Sequence, residues 1–228
     1  YDMYQDRNNN MWVATAKGPA FFTSHIINDL VSDSIIILDS YLLPAWKNSE
    51  KISDQVYKIT LSQTGNLYFS GERSLFMYAN KNLKRIWASP HKDNKEDGVV
   101  GLVSGKEDSV YFATIFGGLG CIVKNKITRL TDDNSIVAAL TEHKGQLYYL
   151  ASAGIYQFHP SDKQLEKKSE VPQNINLWPS CLLVDNENNF WIGMHDNLLY
   201  QKTRIFYSYK NETDNISPEI FSICQLQN

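Results

Sequence analysis

The sequence predicts an all-β protein of repeated antiparallel sheets, and three observations carry that prediction. One phrase is written five times in 228 residues: a polar turn, an aromatic anchor, a short strand, a small or polar bend, then a second apolar strand. Its anchors, Trp12, Tyr68, Tyr111, Tyr148 and Trp191, stand 56, 43, 37 and 43 residues apart. Further apolar strand patterns precede four of the turns, and weaker strands follow the phrase. Four strands in roughly 40 to 50 residues is the period of a propeller blade. The expectation is one β-propeller domain over residues 1–228, of about five four-stranded blades, with two readings open: a ring of five blades, or a piece of a larger propeller protein.

In chain order, the first repeat (residues 1–50) opens with Tyr1 to Asp6 as the tail of an inner strand. "DRNNN" follows as a turn, then "MWVAT" and "GPAFF" as strands. Residues 21–50 hold more chain than the strands need and are expected to form a lengthened loop or an extra strand. The second repeat (51–92) supplies "VYKITLS" from Val56, "QTGNLYFSGERSLFMY" from Gln63 and "KRIWAS". The third (93–132) supplies "GVVGLVSG" from Gly98, "KEDSVYFATIFGGLGCIV" from Lys106 and "KITRLT". The fourth (133–174) has "IVAALTE" from Ile136 and "HKGQLYYLASAGIYQF" from His143. The fifth (175–216) has "SCLLVD" from Ser180, "DNENNFWIGMHDNLLY" from Asp185 and "RIFYSY". Residues 217–228 read as a strand that completes the first blade or starts another. Asn, Asp, Gly and Ser in the turns tolerate left-handed backbone or bond their own chain, which lets strands reverse tightly. Aromatic and β-branched residues then suit a pleated, half-buried surface, and stacking the sheets buries them between blades.

Composition narrows the function classes. The chain is 43% hydrophobic and 21% charged with net charge -3, which suits a soluble globular protein with a core. No broad positive field exists to hold phosphates, so nucleic acid is not an expected partner. The longest aliphatic run, Ile35 to Leu38, falls far short of the roughly 20 residues that span a bilayer, so no direct membrane insertion is expected. The polar start "YDMYQDRNNN" lacks a signal-peptide pattern, and any targeting segment is expected to lie outside this chain. Cys121, Cys181 and Cys224 are widely spaced with no C-x-x-C pair, against a disulfide framework or a zinc cluster. Asn211-Glu-Thr213 and Asn215-Ile-Ser217 match the glycosylation acceptor triplet, a pattern that arises by chance in so Asn-rich a chain.

Catalytic signatures are missing. There is no G-x-S-x-G elbow, H-E-x-x-H helix or G-x-x-x-x-G-K-S/T loop, and "GGLG" at Gly117 to Gly120 reads as a tight turn. Five-bladed glycosidases use paired carboxylates across a central pocket, and Glu72, Asp97 and Asp196 are the acids best placed to approach an axis. "DRNNN" and "DNENN" space oxygen ligands as a calcium loop begins, but lack its later Gly and Glu, so Asx turns are favoured. His25, His91, His143, His159 and His195 show no metal-ligand spacing. Neither a cofactor nor a metal is expected.

The repeats resemble those of the two-component regulator propeller family. "VDNENNFWIG" at Val184 to Gly193 and "QDRNNNMWVAT" at Gln5 to Thr15 are the nearest copies. "TGNLYFSG" keeps the Gly65-Asn66 turn and "YFAT" keeps the closing Thr114, while Tyr replaces Trp in three phrases and Met194 stands where the family prefers Thr. The resemblance implies an extracytoplasmic sensor region of a bacterial hybrid histidine kinase, periplasmic or extracellular. Its ligand would be a small molecule or oligosaccharide, often a glycan breakdown product, and its partners further domains of a parent sensor kinase.

A non-catalytic ligand-sensing or interaction module is therefore expected, with a lectin-like propeller and a five-bladed glycosidase as alternatives. The candidate ligand rim lies where second strands turn into third strands, next to the starts of the inner strands. It comprises Lys17, Glu72, Arg73, Phe116, Ser152, His195 and Asp196, together with Asp97, Asn134, Ser135 and Trp178. Arg73 is suited to a ligand carboxylate, and Phe116 or Trp178 to an apolar ring face.

Overall fold

A computed structural model of the chain describes residues 2–23, 55–90, 98–131, 136–171, 179–194, 197–202 and 205–210, with backbone alone at 179–180 and 205–210. Nineteen strands form five antiparallel sheets among these residues. The first sheet holds β1 (Met3–Gln5), β2 (Met11–Thr15) and β3 (Gly18–Phe22). The second holds β4 (Val56–Leu61), β5 (Leu67–Gly71), β6 (Ser74–Ala79) and β7 (Asn82–Ala88). The third holds β8 (Val99–Ser104), β9 (Val110–Thr114), β10 (Gly118–Val123) and β11 (Lys126–Arg129). The fourth holds β12 (Val137–His143), β13 (Gln146–Ala151), β14 (Gly154–His159) and β15 (Gln164–Ser169). The fifth holds β16 (Pro179–Val184), β17 (Phe190–Met194), β18 (Asn197–Lys202) and β19 (Ile205–Lys210). Strands pair in sequence order within every sheet, and the first strands of successive sheets pack in turn, β4 on β8, β8 on β12 and β12 on β16. This is a five-bladed β-propeller.

The core consists of layers between blades. Trp12 and Ala14 pack on Ile59, Leu67, Phe69 and Phe76 between the first and second blades. Tyr68 and Leu75 meet Leu102, Phe112 and Ile122 between the second and third. Ala113 and Leu119 meet Leu147, Tyr149 and Phe158, with half-buried Tyr111 alongside, between the third and fourth. Tyr148, Leu150 and Ile155 meet Leu182, Ile192 and Leu199 between the fourth and fifth. The anchor of each of the first four repeats thus faces the next blade. Burying such a side chain contributes about 1.5–3 kcal/mol, so the anchors stabilise the stacking of blades more than any single sheet. In the fifth repeat Phe190 and Trp191 are only half-buried while Ile192 to Met194 are buried. Trp191 lies against Tyr200 of its own blade, with ring centroids 4.2 Å apart.

Close approach of the inner strands sets one residue choice. A Cβ on Gly101 of β8 would stand 2.2 Å from Leu140 Cβ of β12, so only glycine lets the two strands meet. The "GGLG" run is only partly a turn: Gly117 lies in it, whereas Gly118 opens β10 and pairs with Thr114.

Every inner strand of the four-stranded sheets carries a register shift at the same place. It falls between Val56 and Lys58, Val99 and Gly101, Val137 and Ala139, and Pro179 and Cys181. The bulged residues are Tyr57, Val100, Ala138 and Ser180. In the second blade the Lys58 amide, displaced from the ladder, donates to Ser70 Oγ at 2.8 Å.

Candidate functional site

The two faces of the disc are built differently. On one face lie the turns from first to second strands. In the first repeat Asp6 Oδ1 accepts from the amides of Asn8 (2.9 Å) and Asn10 (3.0 Å), and Oδ2 from Asn10 Nδ2 (3.0 Å) and Trp12 Nε1 (3.2 Å). The fifth repeat copies this circuit. Asp185 Oδ1 accepts from the amides of Glu187 (3.0 Å) and Asn189 (2.8 Å), and Oδ2 from Asn189 Nδ2 (3.0 Å) and Trp191 Nε1 (2.9 Å). Asn9 (φ 60°) and Asn188 (φ 65°) supply the left-handed step that such a turn needs. Partial burial pushes both carboxyls up, but the hydrogen bonds outweigh it and hold Asp6 and Asp185 below the ordinary value. The carboxylate oxygens of Asp6 and Asp185 are thus engaged in Asx turns that also seat the Trp anchors.

The turns on this face are laced to their neighbours. Asp108 Oδ1 accepts from the Thr64 amide and from Thr64 Oγ1, both at 2.9 Å, tying the third blade to the second. Lys144 Nζ donates to the Asn186 carbonyl at 3.0 Å, tying the fourth to the fifth.

The opposite face carries the predicted rim. Lys17 is exposed in the turn after β2, and its amide donates to Thr15 Oγ1 at 3.1 Å. Glu72 is exposed and Arg73 half-buried in the bend between β5 and β6, where the Arg73 carbonyl accepts from the Ser89 amide at 2.9 Å. Phe116 is half-buried in the turn between β9 and β10, and Ser152 is exposed after β13. Backbone bonds join blades here as well: the Ile115 amide donates to the Gly98 carbonyl and the Val137 amide to the Ile115 carbonyl, each at 3.0 Å. Lys17, Glu72, Arg73 and Phe116 therefore stand on one face, on three successive blades. Trp178, His195 and Asp196, with Asp97, Asn134 and Ser135, lie outside the described residues.

The inner-strand bulges open on this same rim, since Val56 pairs with Gly71, Val99 with Thr114, Val137 with Ala151 and Pro179 with Met194. Bulges re-aim side chains and gather beside functional sites. Tyr57, Val100 and Ala138 thus belong to the candidate site, with the backbone of Ser180 at the equivalent place, and sequence reasoning missed them. A one-residue shift inside a continuous apolar run such as Val99 to Val103 leaves no mark in its pattern.

The described carboxylates held below their ordinary range are Asp6, Asp108, Asp185 and Glu166. The first three serve turns on the laced face, and Glu166 is paired with Lys168 on the exposed outer strand β15. Cys121 and Cys181 are buried and in no disulfide, and burial raises both thiols, Cys121 to about 11. No cluster of three or more His, Cys, Asp or Glu suited to a metal occurs among the described residues. No helix among them is long and apolar enough to cross a membrane.

The fold and its repeated turns define a propeller built from short sequence repeats. Residues 1–17 match the family model described as two component regulator propeller, so the resemblance drawn from the phrases holds at the first repeat. No curated protein matches the chain in sequence. Among solved structures, virginiamycin B lyase from Staphylococcus aureus is similar at TM-score 0.67 and 17% identity, covering 96% of this chain and 72% of that one. The extracellular domain of a one component system from Bacteroides thetaiotaomicron is similar at TM-score 0.60 and 14% identity, covering 92% and 35%. That of a hybrid two component system from the same organism gives 0.60 and 15%, covering 91% and 28%. The chain thus spans about a third of the length of these sensor domains. At such identities the likeness establishes the fold.

Proposed function

We propose that the chain is a non-catalytic, ligand-sensing or interaction propeller of a bacterial two-component sensor, acting on the periplasmic or extracellular side of the membrane. The observation that carries this reading is the match of the first repeat to the two component regulator propeller. The geometry supports it in two ways. The rim combines exposed turns of differing chemistry with bulged inner strands, a layout suited to a ligand or a partner domain. Among the described residues, the carboxylates held below their ordinary range, Asp6, Asp108, Asp185 and Glu166, are committed to turns and an outer strand, away from that rim, whereas a hydrolase of the paired-carboxylate kind needs two that face each other. Arg73 is the group to bind an acidic ligand and Phe116 the group to lie against a ring. The partners would be a small molecule or oligosaccharide and further domains of the parent sensor.

The test is calorimetric titration of the chain with neutral and acidic oligosaccharides, followed by mass spectrometry of the recovered sugars. Binding without turnover is expected, with affinity for an acidic oligosaccharide about tenfold weaker in Arg73→Ala through loss of a charge-assisted hydrogen bond. Unchanged binding in that variant removes the rim from the reading. Cleaved product overturns the non-catalytic part.

A further inference from the structure

The net charge of -3 is unevenly spread over the molecule. The outermost strands of the second and third blades, β7 and β11, with the loops that enter them, carry Lys81, Lys84, Arg85, Lys124, Lys126 and Arg129, all exposed. Residues 79–90 and 123–131 hold no Asp or Glu, and Asp132 and Asp133, which follow, lie outside the described residues. The two strands border one groove, lined by Trp87, Ile127 and Arg129 among others. Charge of one sign thus gathers on one stretch of the outer wall of the disc.

Two observations set these cations apart from the charges that protect an ordinary sheet edge, where either sign serves. The first is pairing. On the fourth blade's edge strand β15, Lys168 Nζ stands 2.7 Å from a Glu166 oxygen and Lys167 Nζ 3.1 Å from a Glu170 oxygen. Lys81, Lys84, Arg85, Lys124 and Lys126 enter no ion pair or side-chain hydrogen bond among the described residues. The second is backbone. Asn80 and Lys81 (φ 51° and 62°) form the two-residue loop between β6 and β7, and Lys124 and Asn125 (φ 48° and 63°) that between β10 and β11. Such loops favour Asn and Gly, and a lysine Cβ is disfavoured at these angles. Each loop holds a lysine against that preference, at the same end of the two outer strands.

We propose that this wall is a binding surface for a linear acidic polysaccharide, separate from the rim and independent of it. Repeated carboxylates of the polymer lie against Lys81, Lys84, Arg85, Lys124 and Lys126, and the counterions of the polymer are released as they do so. Unpaired cations on neighbouring strands repel one another, and an anionic chain laid across them removes that repulsion. The absence of a stacking platform favours a glycan over a nucleic acid. No aromatic side chain is exposed on these two strands, and Trp87 is half-buried with its ring 5.4 Å from that of Phe112. A flexible chain also follows the curve of the disc, which a flat lipid surface meets only along a line.

The probes are polygalacturonate, its fully methyl-esterified form, a thymidine oligonucleotide of matched charge and phosphatidylglycerol vesicles, each titrated into the whole chain at about 50 mM salt. Polygalacturonate is expected to bind tightest and to weaken about tenfold when salt is raised to about 200 mM, while the uncharged ester does not bind. A fourfold variant, Lys81→Gly, Lys84→Gln, Lys124→Gly and Lys126→Gln, is expected to bind polygalacturonate about tenfold more weakly. It should melt no lower than the unmodified chain, because glycine relieves the two left-handed positions. Lys163→Gly, Lys167→Gln and Lys168→Gln together, on the fourth blade, are expected to leave the affinity unchanged, and so is Arg73→Ala, which separates this surface from the rim. The proposal is overturned by a fourfold variant that binds like the unmodified chain, by an equal loss in the fourth-blade variant, or by an ester that binds as well as the acid. Tighter binding of the oligonucleotide or the vesicles, or no binding of polygalacturonate, overturns it equally.

Discussion

At the scale of the residue, one aspartate does the work of a turn. Asp185 takes two backbone amides, one side-chain amide and an indole N–H. Replacing it by alanine orphans those donors, and urea denaturation is expected to show a loss of about 1–3 kcal/mol. Because Asp6 and Asp185 sit below their ordinary value of 3.8 in the folded protein, their contribution is present above that pH and is lost as pH falls through the lower folded value. Urea midpoints measured between pH 6 and about pH 2 should therefore fall more steeply in the unmodified chain than in an Asp6→Asn, Asp185→Asn double variant. A parallel fall would contradict the assignment. These turns were legible in the sequence because Asx chemistry is local: the acid, the left-handed Asn and the Trp all lie within seven residues. The unpartnered Gln146 Oε1 was not legible, since nothing in "KGQLYY" says which side-chain donors lie within its reach.

At the scale of the element, the strands followed from the alternation of polar turns with aromatic and β-branched runs, and the weak outer strands from position alone. The bulges did not, because register is a relation between two strands and a continuous apolar run fits either register equally well. Gly101 shows the same limit. It reads as an ordinary break in an apolar strand, yet it is the point where β8 and β12 touch. Gly101→Ala inserts a methyl group where the neighbouring strand has no room to give, and is expected to destabilise by about 1–3 kcal/mol. The check is a lower urea midpoint with an unchanged slope, the sign that stability changed and the unfolded state did not. An unaltered midpoint would mean that the inner strands can separate at no cost.

At the scale of the whole molecule, each blade is stabilised by its neighbours, as in other repeat proteins. Disturbance should therefore stay near its origin. Asp108→Ala removes the carboxylate that ties Thr64 to the third blade. Hydrogen exchange is expected to quicken in the turns at 62–66 and 105–109, with the Asp185 turn unaffected. Faster exchange in the fifth blade would mean that the laced face behaves as one cooperative unit.

The lacing on one face also bears on how such a chain can change over time. In the first and fifth repeats the Asp, Asn and Trp circuits settle where the hairpin reverses, and side-chain links tie the second blade to the third and the fourth to the fifth. The bends at the other end of the same strands are tied through backbone instead, from the Ile115 amide to the Gly98 carbonyl and from the Val137 amide to the Ile115 carbonyl. Their side chains nonetheless differ from blade to blade, as Lys17, Glu72, Arg73 and Phe116 do, over the same antiparallel pairing. A blade can thus differ from its neighbours at one end while it is joined to them at both.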